Sequence, residues 1–393
     1  MKQIPYGRHF IDQTDIDSVL EVLNSDFLTQ GPQVPAFEKA VCEYVSAKHA
    51  IAVNSATSAL HLACIALGVG KGDYVWTSPI SFVASSNCAL YCGADVDFVD
   101  IDSKSYNMSV DRLREKLEKA KAENKLPKVV IPVHFSGQSC DMEKIAALAK
   151  EYNFRVIEDA SHAIGGSYLN EKVGNCKYSD VTIFSFHPVK IITTGEGGMC
   201  TTNDSEIANL IYRLRSHGIT RNPKEMTEQP DGPWYYQQID LGFNYRMNDI
   251  QAALGVSQLK RLDTIVEKRH KVREYYDKIL KDVGVVLPEQ MDYAKSSLHL
   301  YVIQVIEKEM NADRKEIFER LRVSGILVNV HYIPIYRQPY YQKKYGFKYS
   351  DFPEAEKYYS NTISIPIYPE LNQEDQDRVK DAMSKPIGHQ VLF

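Results

Sequence analysis

The chain has 393 residues, 44% of them hydrophobic and 25% charged, which supplies apolar material for two packed domains and excludes disorder as the dominant state. Its 46 Lys and Arg against 51 Asp and Glu leave a formal net charge of −5, a balance that calls for neither a nucleic-acid partner nor an anionic membrane surface. There is no apolar run of about 18 residues and no signal-peptide core, and the cysteines (Cys42, Cys64, Cys88, Cys92, Cys140, Cys176, Cys200) form no CxxC, so the expectation is a cytoplasmic protein with reduced thiols, no membrane span and no metal site.

In chain order, strands are expected at HAIAV (49–53), DYVWTS (73–78), DVDFV (95–99), KVVIPV (128–133), FRVIE (154–158), VTIFSF (181–186) and MCTT (199–202), each a short run rich in β-branched residues. Between them lie helical patterns. In TSALHLACIAL (57–67), Leu60, Cys64 and Leu67 recur on one face, and 110–123 and 141–152 keep the same period. This alternation predicts an α/β fold with a mostly parallel sheet covered on both faces and ligands beyond the carboxyl ends of its strands. Residues 218–240 carry turn residues without a period and are expected as a long functional loop.

A second, smaller α/β region begins near residue 250. Asn248 and Gln251 have the spacing of a capping box, and Ile250, Leu254, Leu259, Leu262 and Val266 continue as one long amphipathic pattern. Then come a strand (298–305), a helix (313–325), a strand (ILVNVHY, 326–332), a strand near TISIP and a helix at 373–384. The domain ranges are therefore 1–250 and 251–393, with residues 1–25 a candidate to pack on the small domain. The tyrosine-rich RQPYYQKKYGFKYS reads as a wet aromatic surface.

Four segments could carry chemistry. NSATSAL (54–60) joins a strand to a helix, where Ala56 and Thr57 can offer N–H groups to an anion; simple capping of the helix explains the same residues. In VIEDASHAIGG, Asp159 and His162 follow a buried strand; the aspartate either holds a protonated ring nitrogen or closes a turn. In FSFHPVKIITTGEGG, Lys190 sits between a buried strand and a glycine turn in apolar company, a setting that lowers an amine's pKa as a Schiff-base lysine needs. GEGG fits neither the dinucleotide nor the P-loop pattern. In TSPISFVASSN, Phe82 either stacks on a flat cofactor or belongs to the core.

Together with SDFLTQGP, RSHG, GFNYRMNDIQAALG and VHYIPIY, these motifs resemble the DegT/DnrJ/EryC1/StrS sugar aminotransferases over nearly the whole chain. The resemblance implies the fold type I architecture of pyridoxal-phosphate (PLP) enzymes, with a seven-stranded large domain, a small C-terminal domain and a homodimer with shared sites. It makes Lys190 the Schiff-base lysine and pairs Asp159 with the pyridine nitrogen. Ala56, Thr57 and Ser185 hold the phosphate, Phe82 stacks on the ring, and His162, where many relatives have glutamine, sits near the ring 3-hydroxyl. Asn244 reaches the partner's cofactor. Tyr6, Asp26, Phe27, Leu28, Thr29, His187, Asn329, Val330, His331 and Tyr332 line the sugar-nucleotide pocket.

HPVK and VHYIPIY look most like enzymes that aminate C4 of a UDP-linked 4-keto-6-deoxy-N-acetylhexosamine in pseudaminic acid synthesis. L-Glutamate would be the donor, and the cofactor would pass through its pyridoxamine phosphate form. The same resemblance leaves room for a dTDP-linked or 3-keto sugar, or for PLP binding without turnover. A desulfurase would need a cysteine on the loop 218–240, which has none.

Overall fold

The structure, a computed structural model, describes residues 3–384; the outermost ends of the expected domain ranges, 1–2 and 385–393, lie outside them. All seven strands expected in the first half form and join one sheet: β1 (His49–Val53), β2 (Tyr74–Thr77), β3 (Asp95–Phe98), β4 (Val129–Ile131), β5 (Arg155–Asp159), β6 (Val181–Ser185) and β7 (Gly198–Thr202), in the order β1-β7-β6-β5-β4-β2-β3. β7 runs antiparallel to both its neighbours, and the remaining pairs are parallel. β4 and β6 are buried along their whole length, as strands covered on both faces must be.

The covering helices include α1 (Gln13–Leu23), α2 (Gln33–Val45), α3 (Ala56–Ala66), α4 (Ala84–Tyr91), α5 (Val110–Ala122), α6 (Met142–Tyr152) and α7 (Ser205–Leu214). The topology collects several chain segments at one edge. β5 ends in Asp159, β6 ends in Ser185, and antiparallel β7 begins there at Gly198, opposite Ser185. The turn after β1 opens α3, and the segment after β2 leads into α4.

The capping box at Asn248 forms and starts α8 (Asp249–Leu259). The single long helix does not: the pattern breaks at Lys260 and Arg261 before α9 (Leu262–Leu280). Arg261 turns back to pair with Asp12 and Asp15 at the start of α1. Beyond α9, Val285–Val286, Tyr301–Val305 and Thr362–Ile365 make a small antiparallel sheet with its own core around Tyr276, Tyr301 and Ile363. Ile4 joins that core and exchanges backbone hydrogen bonds with Gly325 and Leu327, whereas α1 packs on α8 through Asp15 and Gln258.

Three further expectations change. ILVNVHY is not a strand. Asn329 meets Ser364 in an isolated bridge, its Oδ1 accepts the Val330 N–H at 2.8 Å, and the Tyr358 hydroxyl donates to the His331 carbonyl at 2.5 Å. Ladder groups are thus spent on side chains, one from Asn329 itself and one from Tyr358. The loop 218–240 carries a minimal hairpin at its base, Ile219–Thr220 against Gln237–Gln238. The tyrosine-rich segment divides: Tyr340 and Tyr349 are exposed, but Tyr341 is buried and, with Tyr336, Phe347 and Phe352, packs around Phe98 of β3. Among the described residues no helix is long and apolar enough to cross a membrane.

Candidate active site

Beyond the carboxyl edge of the large sheet lies a cavity of about 540 Å³. It brings together Tyr6, Ala56, Thr57, Phe82, Asp159, His162, Ser185, His187, Lys190, Asn329, Val330, His331 and Tyr332, residues scattered over the chain.

At one end stands the N-terminus of α3. Both readings of NSATSAL hold at once. Ser55 is the N-cap, its Oγ accepting the Ser58 N–H at 3.1 Å. The first intrahelical backbone bond runs from Ala59 N–H to Ser55 O, so the N–H groups of Ala56 and Thr57 precede the ladder and are open to an anion. Gly198 lets this turn seat against β7: a Cβ there would lie 2.5 Å from the Ser55 carbonyl carbon. Ser185, opposite Gly198 in the ladder, adds a hydroxyl to the cavity wall.

Asp159 is 4% exposed. Its Oδ2 accepts the Ser85 hydroxyl at 2.6 Å and its Oδ1 accepts the Ser161 N–H at 3.2 Å. Ser81 stands behind Ser85 at 2.7 Å. Donors on both oxygens fix the plane of the carboxyl group. Lys190 is half-buried and faces the cavity. Burial pushes its amine down to about 8, against the opposing pull of Asp159, so at pH 7 roughly 300 times more of it is neutral than of an ordinary lysine.

The far wall is aromatic and imidazole-rich. Phe82 is 60% exposed and its ring lies 6.4 Å from that of Tyr332, so it is no core residue. His162 is buried, with His299 packed 4.3 Å from it between ring centroids. Burial holds both rings far below the usual histidine range. His331 bonds Ser364 Oγ at 2.8 Å through Nδ1, stands 5.4 Å from the Tyr6 ring, and is pushed down to about 3 by burial and then by Lys190. All three imidazoles are therefore neutral at physiological pH.

Other expected residues lie elsewhere on the chain. Asp26, Phe27, Leu28 and Thr29 are exposed outside the cavity, on a segment pinned by α8: the Asp249 N–H donates to the Leu28 carbonyl, and the Gly31 N–H donates to Asp249 Oδ2. Asn244 is exposed, and its carbonyl meets Asn54 Nδ2 at 3.4 Å. His187 sits on the rim, 4.0 Å from Glu196. Two participants were not foreseen. Ser85 lay within the quoted TSPISFVASSN. His299 was hidden inside an expected strand, 298–305, whose first residues instead fold into the cavity wall: Leu298 takes φ +57° and His299 N–H bonds the Ser136 carbonyl. A lone histidine in an apolar run was the signal.

The donor set suits one kind of guest: an anionic group at the α3 cup, a protonated heteroaromatic nitrogen at Asp159, a flat ring against Phe82 and an aldehyde for the amine of lowered pKa at Lys190. The observation that tests this fit is the combination of open N–H groups at Ala56 and Thr57 with a cup that a Cβ at position 198 would fill.

Comparison with known proteins gives the same direction. Residues 9–384 match the DegT/DnrJ/EryC1/StrS aminotransferase family. The chain is 41% identical to the spore coat polysaccharide biosynthesis protein SpsC of Bacillus subtilis, covering 97% of this chain and 96% of that one. It is 42% identical to the UDP-4-amino-4,6-dideoxy-N-acetyl-beta-L-altrosamine transaminase of Campylobacter jejuni, with the same coverage. Among solved structures, Helicobacter pylori PseC, an aminotransferase involved in the biosynthesis of pseudoaminic acid, superposes with a TM-score of 0.88 at 35% identity over 97% of this chain and 98% of that one.

Proposed function

The chain belongs to the DegT/DnrJ/EryC1/StrS aminotransferase family, and from that premise we propose that it is a PLP-dependent aminotransferase of a UDP-linked sugar. It takes an amino group from an amino acid, L-glutamate by family resemblance, to the C4 keto carbon of a 4-keto-6-deoxy-N-acetylhexosamine. The product is UDP-4-amino-4,6-dideoxy-N-acetyl-β-L-altrosamine. The observation that carries this reading is Lys190, an amine of depressed pKa in the same cavity as a buried, doubly hydrogen-bonded Asp159 and an open helix N-terminus.

Ala56, Thr57 and Ser185 would hold the cofactor's phosphate, Asp159 its ring nitrogen and Phe82 its face. When bound, PLP supplies an electron sink for the carbon that loses a proton. The chain's residues do the rest. Asp159, held by Ser85 and Ser161, keeps the ring nitrogen protonated. Lys190 Nζ would take the proton from the donor's α-carbon, and its lowered pKa leaves a larger share of the amine neutral for that task than in an ordinary lysine. The α3 cup fixes the tilt that aligns the breaking bond. Tyr6 and Asn329–Tyr332 would meet the sugar nucleotide from one chain, and Asn244 and Asp26–Thr29, exposed here, would act across a homodimer.

The same reading divides the chain into a large domain, 1–250, and a small one, 251–393. The separate core around Tyr276 and Tyr301 supports it, and Tyr336, Tyr341 and Phe352, packed on the large sheet, cross that line. All seven cysteines are free, which supports a reducing, cytoplasmic setting. The similarity to SpsC, 41% against 42% for the Campylobacter jejuni transaminase, favours a second reading, the same reaction on another nucleotide sugar. Two experiments test these. Lys190→Ala should abolish the visible absorbance of the lysine-bound cofactor and turnover together; normal catalysis by that variant would refute the assignment. A panel of UDP- and dTDP-linked 3-keto and 4-keto sugars, with NMR of the amino product, separates the C4 reading from its rival.

A further inference from the structure

His162 has both ring nitrogens engaged by the protein. The Ser136 N–H donates to Nδ1 at 3.3 Å, and Nε2 lies 3.2 Å from the Tyr332 hydroxyl. A backbone N–H can only donate, so Nδ1 carries the lone pair. Burial, with Lys190 and His331 nearby, denies the ring a second proton. Its single proton is therefore on Nε2 and is donated to Tyr332 Oη. The phenol's own proton is left over. No other hydrogen bond engages the Tyr332 hydroxyl among the described residues, the ring lines the cavity, and burial, then Tyr6 and Asp159, keep the phenol protonated.

Packing makes this direction rigid. The His162 ring is held by His299 at 4.3 Å and Phe135 at 6.1 Å between centroids. The segment carrying His299 is tied by the Ser297 hydroxyl to the His162 carbonyl at 2.8 Å. It is also tied by the fully buried Arg269, whose Nη1 reaches the Leu298 and Ile367 carbonyls, each at 3.1 Å.

We propose that Tyr332, aimed by a neutral His162, is the donor that this site extends to an oxygen of the bound reactants: the ring oxygen of the cofactor or the keto oxygen of the sugar. His162 has no polar atom left for the ring 3-hydroxyl and is a positioning residue. The inference rests on the proposed function and deepens it at the same site.

The test uses holo-protein carrying Tyr332→Phe, His162→Gln or His162→Leu, with a pH titration of the visible chromophore without substrate and separate rates for the glutamate and sugar half-reactions. A donor on the ring oxygen draws off electron density that otherwise holds the proton of the lysine-linked nitrogen. If that is its acceptor, Tyr332→Phe raises the chromophore's pKa by about one to two units. If the acceptor is the keto oxygen, the titration stays put and the sugar half-reaction slows about 10- to 100-fold while the glutamate half-reaction does not. In either case His162→Leu follows Tyr332→Phe. The His162→Gln variant keeps the native value, since a side-chain amide can both accept from Ser136 and donate to Tyr332. An unmoved titration with both half-reactions unchanged, or slowed equally, overturns the proposal, as does a His162→Leu variant that behaves like the native protein. A chromophore retained in Tyr332→Phe would show that Lys190 chemistry stands even then; a native protein that forms no chromophore would instead sink the proposed function.

Discussion

At one end of the cavity, Ala56, Thr57, Asp159, Ser185 and Lys190 all stand at the carboxyl edge of a single sheet or within a few residues of it. At the other, Tyr6 and Asn329–Tyr332 arrive on irregular chain; Asp26–Thr29 and Asn244 lie outside the cavity on the outer surface, Asn244 next to Asn54. The first end is closely fitted: a Cβ at Gly198 or a lost bond at Ser85 would disturb it directly. The second depends on loops, which lets substrate choice vary while proton chemistry does not.

The comparison can be broken at the rigid end first. Asp159→Asn keeps the shape and removes the charge, and the glutamate half-reaction should slow by about 10²- to 10⁴-fold; single-turnover absorbance measures it, and a near-native rate would mean the ring nitrogen needs no anion. Gly198→Val should weaken cofactor binding strongly, because its Cβ meets Ser55 and Ala56 backbone at 2.5–2.6 Å. Titration with PLP checks this, and unaltered affinity would put the phosphate elsewhere.

A pH experiment probes the same end. Lys190 has its pKa lowered to about 8, so the reactive neutral amine is gained as pH rises through 8 and lost below it. The rate at which cofactor-free protein captures PLP should climb with pH and level off above about 8. A rise continuing past pH 10 would mean an ordinary solvated lysine.

The smallest effect is expected on the outer surface. Asn244→Ala should cost PLP affinity about fivefold, the worth of one hydrogen bond. Mixing that variant with Lys190→Ala should restore tight binding at the hybrid sites, where an intact Lys190 faces the partner's intact Asn244. Failure to complement would confine the site to one chain.

The same division governs how far the sequence alone could reach. The large sheet was legible because strands buried on both faces must be short apolar runs, and VTIFSF or KVVIPV can hardly be anything else. Asp159 and Lys190 could be placed at strand ends because their flanking strands and glycine turn are local, while the roles proposed for them came from the family resemblance. The second region was harder. ILVNVHY has strand composition, yet Asn329 and Tyr358 take its backbone groups, a competition set by residues thirty positions apart. LHLYVIQV hid His299 for a related reason, since its opening residues answer to Ser136 rather than to a neighbouring strand. The break after α8 depends on Arg261 meeting Asp12 and Asp15 near the other end of the chain. Tyr341 could not be told from Tyr340 without knowing where Phe98 lies.

Borohydride reduction of the holo-protein followed by peptide mass spectrometry tests the central claim most directly. The account predicts a phosphopyridoxyl group on Lys190 and on no other lysine. A label on a different lysine, or none on a protein that still turns over, would contradict it.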